Sequence, residues 1–438
     1  MFKIYDVEEA QKTILRRSAP GQGEDYPPAL INSVERIFGS GITPAAAVTQ
    51  ILNSVRNEGD DALRHWSQRL DNVELETFRI PKETLAAAVD QLSPSLINAM
   101  QKAAERIREF HRRQPLPNWQ TAEMGGILGQ RVTPIRRVGI YVPGGRAPLP
   151  SSLLMSAVPA QVAGVPEIII CTPPNPHLAI LAAAHLCGLE TVFQIGGAQA
   201  IAAMAFGTES VPRVDKIVGA GNLFVTLAKQ QVYGLVGLDG LAGPTETMVI
   251  ADDTANPAWI AADLLAQAEH DPLAAAILLT PSRPLAEAVQ VEIGRQLEQL
   301  SRAEIIAQSL MNNSGAVVTA DMETAVQLAN VYAPEHLCLA VADPHSLASK
   351  ITNAGGIFLG EYSFEVLGDY AAGPSHIMPT GGTARFASPL NVLDFVKINS
   401  IIGLDAATGR ELSRIAAEIA QAETLTAHAA AAERRMGR

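Results

Sequence analysis

Apolar positions along the chain fall into two textures. From Pro44 to about Arg113 they recur at helical spacing. Ile51, Val55, Leu63 and Trp66 carry the first part, and Leu85 to Phe110 continues with Ala, Leu and Ile on one face. From Arg137, short β-branched runs alternate with helical ones. RVGIYVPGG reads as a strand entering a glycine turn, and Pro150, Ser151 and Ser152 open the helix that follows. EIIICTPP, TVFQIGG and KIVGAG predict strands, interleaved with helices HLAILAAAHLCG, AQAIAAMAFG and FVTLAKQQVYG. A second set begins at ETMVIADD. It continues through a helix capped by Asn256 with Pro257 at its first position, then AAILLT, GAVVTA, the helix Asp321 to Tyr332, HLCLAVAD and GIFLG. This alternation predicts an α/β fold with two similar lobes of parallel sheet covered by helices. Residues 1 to about 33, broken by Pro20, Gly21, Gly23, Pro27 and Pro28, predict a short helix and a linker or arm. After Pro389 the pattern turns helical and ends in an Ala-rich helix.

A length of 438 residues exceeds one compact core and predicts at least two domains. Aromatics are 5% while small aliphatics abound, which suits helices packed on parallel sheets. The net charge of −12 with no basic face argues against a nucleic-acid partner. Cys171, Cys187 and Cys338 are far apart in apolar surroundings and predict buried reduced thiols, with no zinc ribbon or redox pair. The opening MFKIYDVEEA lacks the basic and apolar regions of a signal peptide, and no apolar run nears the ~20 residues of a membrane helix. A cytoplasmic protein with no membrane partner is expected.

Several segments offer chemistry. GIYVPGGRAP follows a strand, where glycines admit a phosphate, but it is not a GxGxxG fingerprint, and a tight turn is the plainer explanation. Gly196-Gly197 and Gly219 to Gly221 end two strands of one predicted parallel sheet, the end at which such sheets bind ligands. Gln199 and Asn222 follow them as cofactor contacts or helix caps. In QAEHD, Gln267 and His270 share a helix face and offer an amide oxygen and an imidazole to a metal; a capping histidine is the plainer alternative. In APEHL, Pro334 stops a helix and leaves Glu335 beside His336, an acid and an imidazole suited to paired proton transfers, or merely an exposed loop pair. GDYAAGPSHIMPTGG places Asp369 and His376 in an irregular stretch of the kind that carries function. Glu423 and His428 lie in the final helix, which needs neither for folding.

Together these segments resemble histidinol dehydrogenase. VRNEGDDAL, REFH, VGIYVPGG, PSSLLMSAVPAQVAGV, GGAQAIAAMAFGTESVPRVDKI, AGPTE, QAEH, APEHL, GDYAAGPSHIMPT and AETLTAH occur in one order through nearly the whole chain. The resemblance implies two incomplete Rossmann-like lobes with small helical N- and C-terminal domains. On that basis residues 1–33 form an arm, 34–140 with 250–390 a discontinuous first lobe, 141–249 a second lobe, and 391–438 a helical tail. It implies one zinc ion per subunit on Gln267, His270, Asp369 and His428, and NAD contacted by Tyr141, Gln199 and Asn222. It implies oxidation of L-histidinol to L-histidine by two NAD through a bound aldehyde, as the last step of histidine biosynthesis. His336 is then the base for the alcohol and Glu335 the activator of water. Thr245, His376 and Glu423 join His336 and the zinc ligands around the substrate. It also implies a homodimer whose C-terminal tail brings Glu423 and His428 to the partner's site. Within the resemblance, Thr245 stands where Ser is usual, Ala220 for Pro, Asp271 for Gly, Ser375 for Asn and Phe364 for Pro. Other readings exist: the same chemistry on another amino alcohol or a diol, sulfonated or not; a zinc hydrolase in which Glu335 activates water; and, least favoured because every candidate ligand and base is present, a non-catalytic binding protein. The glycine-rich strand ends speak against the hydrolase.

Overall fold

Aliphatic runs buried on both faces build two parallel sheets in the computed structural model, which describes residues 2–17, 26, 28–144 and 148–437. Glu246–Ala251 and Ala275–Thr280 are buried at every position, as strands covered on both faces require. The first sheet has five strands in the order Val192–Gln194, Glu167–Thr172, Arg137–Tyr141, Lys216–Val218, Gly237–Leu238. The second has six, in the order Lys3–Tyr5, Gly315–Val318, Ala275–Thr280, Glu246–Ala251, His336–Ala340, Gly356–Leu359. All pairings within both sheets are parallel. Leaving aside Lys3–Tyr5, both sheets run third, second, first, fourth, fifth in chain order, so each reverses direction beside its first strand. Such reversals open the crevices in which α/β sheets bind ligands.

Local signals set the helix starts. Asn256 accepts from Ala258 N with Pro257 in the first turn, and Asp321 accepts from Thr324 N. Cys171, Cys187 and Cys338 are free and buried. Among the described residues, no helix is long and apolar enough to cross a membrane.

The structure departs from the expected organisation in three places. The helices Pro44–Glu58 and Asp60–Trp66 pack on the five-stranded sheet through Val48, Leu63 and Trp66, and Lys82–Asp90 and Pro94–Arg112 through Leu85, Met100 and Ile107. Residues 34–112 therefore share a core with 137–238, and from 250–390 it takes in Ile377 and Leu390 at its edge. Leu390, Val392 and Phe395 cross into that same core. Lys3–Tyr5, read as part of an arm, extends the six-stranded sheet. Residues 119–134, which the sequence assigns to no element, and the start of the tail, read as helical, form an antiparallel sheet in which Val396–Leu404 pairs with Gly126–Pro134, and Trp119–Thr121 completes it. Those strands are largely solvent-facing, so they lack the apolar period that marks a buried strand; pairing with a distant segment sets their conformation. Gly145, Arg146 and Ala147 of GIYVPGGRAP, and Pro20, Gly21, Gly23 and Pro27 of the linker, lie outside the described residues.

Candidate active site

The helix Pro257–Ala268 ends with Gln267 fully buried and His270 exposed one turn beyond. Gln267 Nε2 donates to Thr245 Oγ1 at 3.0 Å, and Thr245 Oγ1 donates onward to Glu335 Oε2 at 2.6 Å. Glu246 N donates to the same carboxylate oxygen at 2.9 Å. One relay thus ties the end of a helix to the starts of two neighbouring strands. It also leaves Gln267 Oε1 buried with no hydrogen-bond partner among the described residues. A bare buried carbonyl oxygen is a donor atom awaiting a cation or a proton.

His336 opens an inner strand, paired on both sides, and is buried. Its Nδ1 lies 3.2 Å from the carbonyl oxygen of Glu246. A carbonyl only accepts, so Nδ1 carries the proton and Nε2 keeps its lone pair. That Nε2 is buried and unpartnered among the described residues, 3.9 Å from Asp369 Oδ1 and thus too far for a hydrogen bond. The arrangement leaves a bare base nitrogen buried beside Asp369. The APEHL pair is therefore a buried strand start and not an exposed loop.

Asp369 belongs to the short helix Glu365–Tyr370. Its backbone carbonyl accepts from His376 Nδ1 at 2.9 Å, which leaves His376 Nε2 to accept from Ser152 Oγ at 3.3 Å, across from the five-stranded lobe. Burial pushes His376 down, an effect opposed by Asp369 and reinforced by His336 and His270. These four side chains therefore share one electrostatic neighbourhood. Glu365 is buried beneath them. Thr247 Oγ1 donates to its Oε2, and its Oε1 lies 3.9 Å from His336 Nδ1. Burial and then Asp369 hold Glu365 well above the usual carboxylate range. Burial raises Glu335 to about 7, partly opposed by His336, Thr245 and Glu246 N. Asp263 rises to about 7 through burial and then Glu361.

The expected final helix is two helices, Ala406–Ala422 and Thr426–Glu433, that pack chiefly on one another; Glu423 follows the first and His428 lies on the second, both are exposed, and neither is brought to this cluster within one chain. Among the described residues, no three His, Cys, Asp or Glu side chains are close enough to hold a metal ion together. By the chemistry of their donor atoms, Gln267 Oε1, His270 and Asp369 nevertheless fit part of a mixed N/O donor set, the amide oxygen being buried and bare.

The three residues expected to contact a cofactor lie at the carboxyl ends of strands in the five-stranded sheet. Tyr141 is buried, and its hydroxyl accepts from Gly197 N at 3.1 Å. Gln199 is buried beside it. Its Nε2 donates to Asp71 Oδ2 at 3.3 Å, and its Oε1 has no partner among the described residues. Asn222 caps the helix Leu223–Val232 by accepting from Val225 N at 3.2 Å, so the cap reading holds for its side chain. The turn before it requires glycine. Gly219 has φ +108°, and a Cβ there would stand 2.2 Å from Tyr141 O. A buried pair clamps the turn: Gly219 N donates to Asp239 Oδ2 at 2.7 Å, and Lys229 Nζ donates to Gly219 O at 3.0 Å and to Asp239 Oδ1 at 2.5 Å.

Sequence reasoning missed Asp71, Thr247, Ser152 and Glu365. Burial raises Asp71 to about 6, and it closes a π-helical turn before Asn72 at φ 55°. A left-handed Asn after a helical run was the one local hint. Nothing local marks the other three.

A family model for histidinol dehydrogenase matches residues 41–436. The chain is 52% identical over 416 residues to the histidinol dehydrogenase of Deinococcus radiodurans, which covers 94% of this chain and 95% of that protein. It is 50% identical over 426 residues to that of Thermus thermophilus, covering 97% and 98%. The crystal structure of histidinol dehydrogenase from Elizabethkingia anophelis matches with a TM-score of 0.90 at 36% identity, covering 99% of this chain and 98% of that one. The α/β architecture and its parallel sheets are thus shared along the whole length, and the chain belongs to the histidinol dehydrogenase family of oxidoreductases.

Proposed function

We propose that the chain oxidises L-histidinol to L-histidine through bound L-histidinal, in the cytoplasm, using zinc and two NAD per turnover. The observation that carries this reading is the bare Nε2 of His336 beside a carboxylate, Glu335, poised near neutrality. When bound, zinc supplies a Lewis-acid anchor that orients the substrate, and NAD supplies the hydride acceptor. Gln267, His270 and Asp369 of one chain would hold the metal, with His428 of a second copy as the fourth ligand. His336 Nε2 takes the hydroxyl proton as the carbinol carbon loses hydride, giving the aldehyde. Glu335 takes a proton from water as the water oxygen attacks that aldehyde, and it returns the proton to the former carbonyl oxygen, giving the hydrate. Loss of hydride and of a hydroxyl proton from the hydrate then leaves the acid. Thr245 orients Glu335 through its hydroxyl, and its side of the pocket faces the substrate with His376. Tyr141, Gln199 and Asn222 line the cofactor end.

A homodimer supports the placement of Glu423 and His428. Leu412, Ile415 and Ile419 are exposed along one helix, and Ile402 on the strand before it, an apolar face suited to a second copy of the chain. The names carried by the relatives favour histidinol over another amino alcohol or a sulfonated diol, and they do not favour a hydrolase. The test is NADH formed per histidine released by zinc-loaded protein. Two NADH per histidine, lost on chelation and restored by zinc, is the expected result. NAD reduction with a different amino alcohol, and none with histidinol, would overturn the substrate.

A further inference from the structure

The N-terminal segment reaches the proton-handling pair through one side chain. Arg17 grips both carboxylate oxygens of Glu246; Nη2 donates to Oε2 at 2.8 Å and Nη1 to Oε1. Its Nε and Nη2 also donate to the carbonyl oxygen of Tyr332 at 3.0 and 2.7 Å, and Nη2 to that of Ala333 at 3.3 Å. The guanidinium lies 3.5 Å from the centre of the Tyr332 ring. Each of these contacts is one step from Glu335 and His336. The backbone of Glu246 donates to Glu335 and accepts from His336. Tyr332 and Ala333 end the helix that runs into Pro334, Glu335 and His336. Ala333 sits at φ 52°, a left-handed conformation that a non-glycine residue holds only when its surroundings enforce it. The carbonyls at that helix end need donors, and Arg17 supplies them.

Charge adds a second link. The Glu246 side chain is only 8% exposed, and Gly381 N also donates to it. An unpaired carboxylate there would act on Glu335 across a short distance of low-dielectric interior. The charged and titratable groups around Glu335 are His336 beside it, Glu246 on the neighbouring strand with Arg17 behind it, and Glu365 and Asp369 facing His336 from their helix.

We propose that Arg17 is a positioning residue for the reaction: it locks the Tyr332–Ala333 turn and neutralises Glu246, and so sets both the geometry and the charge environment of Glu335 and His336. It touches neither substrate nor cofactor in this reading. The proposal rests on Glu335 and His336 being the proton carriers.

The test uses full-length, zinc-loaded protein with Arg17→Met, Arg17→Lys, Glu246→Gln and the double variant Arg17→Met/Glu246→Gln, beside Glu335→Gln and His336→Asn. L-histidinol and L-histidinal are each used as substrate across pH. Arg17→Met is expected to lower kcat about 10- to 100-fold with KM for histidinol within about threefold, the pattern of lost alignment. It is also expected to move the midpoint of the aldehyde step to higher pH, because a nearby unpaired carboxylate disfavours a second one. Adding Glu246→Gln should return that midpoint to the wild-type position. Arg17→Lys should keep the midpoint, because charge is retained. It should recover only part of kcat, because an ammonium cannot grip two carboxylate oxygens and two carbonyls at once. Unchanged kcat and midpoint in Arg17→Met would overturn the proposal. So would equal losses in the single and double variants with no movement of the midpoint, the mark of a purely structural tie. If Arg17→Met does not fold, Arg17→Lys decides: reduced kcat at the wild-type midpoint supports the proposal, and undiminished kcat overturns it. Full turnover by both Glu335→Gln and His336→Asn would defeat the proton-carrier reading itself. Losses there, with none at Arg17, would defeat this inference alone.

Discussion

Glu335→Gln separates what the buried carboxylate does for catalysis from what it costs the fold. The replacement amide oxygen can accept from Thr245 Oγ1 and Glu246 N as Oε2 does, so the relay from Gln267 survives. Burial raises the carboxyl from its ordinary 4.5 to about 7. Between those values the folded chain binds a proton that the unfolded chain has released. Stability therefore falls as pH rises through that window and levels off above it. Each pH unit is worth about 1.4 kcal/mol. From 4.5 to about 7 the wild-type chain thus loses on the order of 3 kcal/mol that the Gln variant keeps. Urea unfolding at pH 5 and at pH 8, with chelator present, measures the gap between the two proteins. The gap should widen in favour of the variant by about that amount at pH 8. Catalysis runs the other way. Only the carboxylate can take a proton from water, so the wild-type aldehyde step should fall about tenfold per pH unit below about 7. The variant should lose about 10²- to 10⁴-fold in aldehyde oxidation and less in alcohol oxidation. A stability gap indifferent to pH would show that Glu335 is not held protonated by burial, and equal losses in both oxidations would remove it as the base for water.

Other consequences can be checked singly. His336→Asn should abolish alcohol oxidation while the zinc content of the protein, read by metal analysis, stays at the wild-type level; retained turnover removes His336 from the chemistry. His428→Ala should lower zinc content without loss of the folded chain, and unchanged stoichiometry would exclude it as a ligand. Gly219→Ala places a Cβ 2.2 Å from Tyr141 O at a φ of +108°, so it should cost about 1–3 kcal/mol of stability and raise KM for NAD. Wild-type values of both would show that the turn is not held as described.

Parts of the site are legible in the chain because their geometry is local. Glu335 and His336 follow a proline that stops a helix, so the sequence alone puts that pair together, and Gln267 and His270 fall at one helix end, although one side chain is buried and the other exposed. The relay Gln267–Thr245–Glu335 is not local. It exists because the strands that start at Glu246 and His336 are neighbours in the sheet and the helix ending at Gln267 packs beside them. Glu365 lies in a segment with no distinguishing pattern, and its burial against Thr247 comes from the same packing. Glu423 and His428 show the reverse case. Their motif is readable, yet the fold of one chain leaves both in solvent.

By itself, the amino-acid sequence determined the alternation of strands and helices, the helix starts at Asn256 and Asp321, and the burial of the three cysteines. Those features follow from periodicity, capping and hydrophobicity, which act over a few residues. Tertiary structure alone decided that residues 34–112 cover the five-stranded sheet and that Lys3–Tyr5 edges the six-stranded one. It also decided that Gly126–Pro134 is a strand at all, through its partner Val396–Leu404. It left the nitrogen of His336 bare by turning the other ring nitrogen to the carbonyl of Glu246. The physical reason is the same in each case: an apolar face or an unpaired polar group specifies that it needs a partner, while the identity of that partner is set by which distant surfaces pack together.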